Sequence, residues 1–124
     1  KIELSSTSTI VEDVLIGILN PNGLVMDNDT LYFSQSKDST IYKFDVTSNS
    51  PVPIQVAGNL NFPSTMAIWG NELFIAESLG NKISKISLTS KTQVATNVLT
   101  GLNRPVGMRI NGDTLYVAEL LLKP

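Results

Sequence analysis

Three segments of this chain are copies of one another at a fixed spacing, and that spacing constrains the fold more than any other feature. Leu31-Tyr32-Phe33, Leu73-Phe74-Ile75 and Leu115-Tyr116-Val117 begin 42 residues apart both times. Each has a matching approach: Leu19-Asn20-Pro21, Leu60-Asn61-Phe62-Pro63 and Leu102-Asn103-Arg104-Pro105. Between approach and strand stand Asp27-Asn28-Asp29, Gly70-Asn71-Glu72 and Asn111-Gly112-Asp113. These residue types tolerate positive φ, as tight hairpins require. A fixed period of this length marks a repeat architecture.

Downstream, Thr40-Ile41-Tyr42-Lys43-Phe44-Asp45-Val46 matches Lys82-Ile83-Ser84-Lys85-Ile86-Ser87-Leu88. Both alternate apolar and polar residues, as half-buried strands do. A fourth strand is expected after each, near 52–57 and 92–98. The unit is therefore four short strands joined by turns, with no helical period of adequate length. Four antiparallel strands in about 40–50 residues make one β-propeller blade.

The first residues extend the pattern. Lys1-Ile2-Glu3-Leu4 matches Lys85-Ile86-Ser87-Leu88, and Asp13-Val14-Leu15-Ile16-Gly17 matches Asn97-Val98-Leu99-Thr100-Gly101, both 84 residues on. The sequence thus predicts an all-β chain of three blades, half of a six-bladed propeller, in a permuted frame. Residues 1–18 supply strands three and four of a split blade, 19–59 and 60–101 are whole blades, and 102–124 supply strands one and two of a split blade.

An open arc exposes sheet edges and an apolar blade face at each end. Two chains in cyclic symmetry would close six blades, strands one and two of each completing the half-blade of the other. A fragment of a longer single-chain propeller would show the same pattern. The chain begins at Lys1 rather than Met, as a processed or excised piece would.

Composition narrows the partners and the chemistry. Apolar residues at 42% against 16% charged suit a globular core. A net charge of −2, with Lys and Arg scattered singly, offers no basic surface for nucleic acid or an anionic membrane. No apolar run approaches the roughly 20 residues of a bilayer span, and stretches such as Leu120-Leu121-Leu122 fall far short of it. Cysteine and histidine are absent, which removes disulfides, thiolate nucleophiles, the usual zinc ligands and a histidine base.

Pro21-Asn22-Gly23-Leu24 followed by Leu31-Tyr32-Phe33-Ser34-Gln35, and Asn103-Arg104-Pro105-Val106-Gly107-Met108 followed by Leu115-Tyr116-Val117-Ala118-Glu119, resemble the six-bladed propellers with NHL or SMP-30/gluconolactonase-like repeats. The second repeat, from Leu73 to Ile86, is similar to repeats of proteins secreted by Bacteroidetes. The resemblance implies an extracellular setting. It also implies a Ca²⁺ or Mg²⁺ site at the central channel with oxygen ligands. Asn22 matches one such ligand position, while its equivalents are Ser64 and Val106, and valine cannot ligate.

Other candidates come from the repeat itself. Gln35, Glu77 and Glu119 share one position at the end of the second strand, where they could line a ligand groove or hydrogen-bond the neighbouring turn. Trp69, at the end of an innermost strand, is a candidate contact for sugar or protein, with core packing as the alternative. No catalytic hydroxyl is suggested, since no histidine is present to act as its base. The leading expectation is a non-enzymatic binding or scaffold module without a required cofactor, dimerising into a ring and holding a protein or glycan. The alternatives are a metal-dependent lactonase- or lyase-like enzyme, and a fragment or engineered half-propeller with a structural role.

Overall fold

A computed structural model describes residues 1–5, 7, 10–91 and 93–120. Among these there is no helix, and ten strands form three antiparallel sheets. The first blade is β1 (Pro21–Asp27), β2 (Thr30–Gln35), β3 (Thr40–Asp45) and β4 (Ile54–Ala57), hydrogen-bonded in that order. The second is β5 (Pro63–Trp69), β6 (Glu72–Glu77), β7 (Lys82–Ser87) and β8 (Thr96–Leu99), again in order. Strands β9 (Pro105–Asn111) and β10 (Thr114–Glu119) form a two-stranded sheet. The chain is thus a run of β-propeller blades.

Backbone conformation repeats with the sequence. Positive φ falls on four repeat positions: Gly17, Asn59 and Gly101; Asn20, Phe62 and Arg104; Asn28, Gly70 and Gly112; Ser39 and Asn81. Asn28, Gly70 and Gly112 are the first loop residues of the β1–β2, β5–β6 and β9–β10 hairpins. At position 62 the fold imposes positive φ on a phenylalanine, so the repeat overrides local preference there.

The blades pack face to face. Tyr32, Ile41 and Val56 of the first meet Leu60, Met66, Leu73, Ile75 and Ile86 of the second in one buried cluster. Ala76, Ile83 and Leu102 form a smaller cluster, against which Phe74, Met108, Leu115 and Val117 pack half-buried.

Three expectations need correction. The fourth strands are short, four residues beginning at Ile54 and at Thr96, and Pro51 and Pro53 deny ladder donors just ahead of the first. Among the described residues of 1–18, the expected strands three and four reduce to a single bridge, Ile2 to Val11, since strands one and two are not beside them. Strand alternation places Val25, Leu31, Phe33, Ile41, Phe44, Met66, Ile68, Leu73, Ile75, Ile83, Ile86, Met108, Ile110, Leu115 and Val117 in the core, yet Val25, Leu31, Ile68, Met108, Ile110, Leu115 and Val117 are only half-buried, lying on faces or edges that one blade covers incompletely. Thr92 of the second fourth strand, and residues 121–124 with Leu121 and Leu122, lie outside the described residues.

Candidate functional site

The strand ladders divide the candidate residues between two ends of the blades. Pro21 pairs with Gln35, Pro63 with Glu77 and Pro105 with Glu119, so these residues and Asn22 share the end where innermost strands begin. Trp69 pairs with Glu72 at the opposite, hairpin end. The five candidates therefore do not converge on one site.

At the first end, Gln35 and Glu77 each bond one backbone amide and one side chain. Gln35 Oε1 accepts from the Leu19 amide at 2.7 Å, and its Nε2 donates to Asp38 at 2.8 Å. Glu77 occupies the same position one repeat on. Its Oε2 accepts from the Asn61 amide at 2.7 Å and Oε1 lies 3.6 Å from Lys82 Nζ, with the residue 2% exposed. Each ties the end of a second strand to the approach before its own blade. Glu119 ends β10 half-buried at the third copy of that position.

Asn22 is exposed on β1, and its Nδ2 donates to Ser36 Oγ at 3.0 Å. The Ser64 hydroxyl lies 2.9 Å from the Ser78 hydroxyl and 3.2 Å from the Ala76 carbonyl. A calcium or magnesium ion takes about six or more oxygens. One exposed amide, one engaged hydroxyl and Val106 do not fit that demand. Among the described residues, no group of three His, Cys, Asp or Glu is placed to hold a metal ion.

At the other end, Trp69 is 47% exposed and its indole Nε1 donates to the Gly112 carbonyl at 3.1 Å. It clips the second blade to the β9–β10 hairpin while leaving a ring face open.

Sequence reading missed the buried serines between blades. Ser34 donates to the Ser64 carbonyl at 2.7 Å, and Ser36 to the Pro63 carbonyl at 2.8 Å. Their signal was available, since Ser36 and Ser78 stand 42 residues apart. A separate groove of about 750 Å³ lies between residues 11–18 and the outer face of the first blade.

No protein-family model and no curated protein sequence matches the chain. Solved β-propellers do match its fold. The computationally designed Ika8 protein is similar with a TM-score of 0.62 at 7% identity, over 80% of this chain and 30% of that one. Virginiamycin B lyase from Staphylococcus aureus gives 0.63 at 15% identity, over 84% and 36%. A streptogramin B lyase gives 0.59 at 19%, over 87% and 43%. The chain thus spans less than half the length of each, and these likenesses speak for the fold alone.

Proposed function

We propose that the chain is a non-enzymatic binding or scaffold module of the six-bladed, NHL-like propeller type, working outside the cell and presenting the loops at one end of its blades to a protein or glycan. One observation carries this reading. The polar groups that could have made a reaction centre, on Gln35, Glu77 and Ser64, are engaged in holding loops and blades together. What stays open to solvent is suited to contact: Asn22 at one end and the Trp69 ring at the other.

The rival reading, a metal-dependent lactonase or lyase, would share its fold with the virginiamycin B and streptogramin B lyases. A gluconolactone-opening assay with added Ca²⁺ or Mg²⁺ separates the two. The scaffold reading expects no metal-dependent turnover, and saturable binding on a glycan array that Trp69→Ala or Asn22→Ala weakens. Turnover that requires the metal and disappears in Asn22→Ala would overturn it.

A further inference from the structure

We propose that the groove between residues 11–18 and the first blade receives the β9–β10 hairpin of a second copy of this chain, so that each copy completes a split blade in the other. This rests on the six-bladed architecture of the reading above and not on its scaffold role.

The N-terminal segment is held as half a blade. The Glu12 amide donates to the Lys1 carbonyl at 3.0 Å, and Ile2 bridges Val11. Eighty-four residues on, the first pair becomes Lys85 and Thr96, a rung of the β7–β8 ladder. Gly17 carries φ 77 where Gly101 carries φ 75. The register and exit of strands three and four are in place, without strands one and two beside them.

The groove has the walls of an inter-blade contact. One wall is Val14, Leu15 and Ile18, which repeat as Val56, Ala57 and Leu60. The other is Leu24, Leu31 and Phe33, which repeat as Met66, Leu73 and Ile75. Within the chain those six equivalents share a single buried cluster, and Tyr32 of strand two lies in it with Val25 of strand one packed alongside. The groove lacks the counterparts of these two. Leu24 is therefore 67% exposed where Met66 is 4%.

The missing insert is present at the far end of the arc. Tyr116 on β10 is the repeat of Tyr32, yet it is 60% exposed where Tyr32 is 5%. Gly107 tells the same story. A Cβ at Gly23 would stand 2.2 Å from the Ser64 carbonyl oxygen of the next blade, so glycine permits that approach. At Gly107, the same repeat position, a Cβ would meet only Ala118 at 3.3 Å, and the space for a following blade is open.

The repeat also fixes the register. The β6–β7 rungs Glu72↔Ser87 and Leu73↔Ile86 transpose to Thr114 with Glu3, and Leu115 with Ile2, of a second copy. Leu120 stands where Ser36 and Ser78 donate across blades. The junction between copies thus lacks that hydroxyl and relies on apolar burial and the new ladder.

Light scattering coupled to size exclusion is expected to give twice the 13.4 kDa chain mass, and Tyr116→Lys to return it to one chain. Because the chain has no cysteine, a mixing test is clean. Glu3→Cys chains mixed with Thr114→Cys chains are expected to form a mixed disulfide under mild oxidation, with little product from either alone. A single-chain mass, or cross-links as frequent between like variants as between unlike ones, would overturn the proposal. If Tyr116→Lys fails to fold, the cysteine pair still decides. Neither measurement reads chemistry, so lactone turnover in a cross-linked dimer would overturn the scaffold reading and leave this one standing.

Discussion

Ser78 donates its hydroxyl to the Pro105 carbonyl at 2.6 Å across the boundary between two blades, as Ser36 does to Pro63 one repeat earlier. Both serines are buried. Ser78→Ala would leave the Pro105 carbonyl with only a longer contact from Ser64, at 3.3 Å. An under-satisfied buried acceptor costs about 1–2 kcal/mol. Urea denaturation at fixed protein concentration should show a loss of that size for Ser78→Ala. An unchanged midpoint would mean that apolar contacts alone hold the blades.

Glu77 and Gln35 occupy one repeat position and accept one equivalent amide, each at 2.7 Å. The acceptor oxygen therefore matters more than the charge. Glu77→Gln should keep most of the stability, losing only the ion pair with Lys82. Glu77→Ala should lose about 2–3 kcal/mol, the scale of a hydrogen bond to a charged group. Equal losses in the two variants, by the same urea measurement, would assign the role to the ion pair.

The period of 42 made the blade unit legible, because hairpin loops, apolar alternation and prolines all recur with it. Ile75 and Ile83 are fully buried, as strand alternation suggests. Alternation within one strand says which residues share a face, but not whether another blade covers that face. That is why Val117, equivalent to Ile75, is only half-buried. The candidate site was less legible still. Gln35 and Glu77 were visible as a recurring polar position, but the partner they share is a backbone amide, which leaves no mark in sequence. Asn22 stands near the start of β1 and Trp69 at the end of β5, so two residues of equivalent innermost strands lie at opposite ends of the blades.

Glycine at positions 23 and 107 gives a paired test of how closely the blades approach. Gly23→Ala would drive a Cβ into a backbone oxygen that cannot move without shifting a strand. Overpacking of this kind typically costs about 1–3 kcal/mol or more. Gly107→Ala meets a single methyl at an adjustable distance, so the isolated chain should tolerate it. Thermal melts should therefore drop clearly for Gly23→Ala. For Gly107→Ala, the drop should appear in the concentration at which two copies part, read by sedimentation, with little change in the monomer's own unfolding.

Alkaline pH offers the last test, through Tyr32. Burial between the blades raises its phenol above the ordinary 10.0, and the negative charge of Asp27 adds to the effect. A raised folded value means that the folded state holds the proton more tightly than the unfolded chain does. The associated stability is complete below pH 10 and is lost as pH climbs through the raised value. Tyr42 is raised in the same direction, first by desolvation and then by Asp38, and it shares the trend. Lysines titrate in this range too, so the informative quantity is a difference between variants. Denaturation midpoints for the wild type and Tyr32→Phe should run parallel from pH 7 to 9, and above 10 the wild type should lose stability relative to Tyr32→Phe, because only the wild type must expel a buried phenolate. Parallel curves throughout would show that the Tyr32 hydroxyl reaches water in the folded state, and that the contact between the first two blades is looser than its apolar cluster implies.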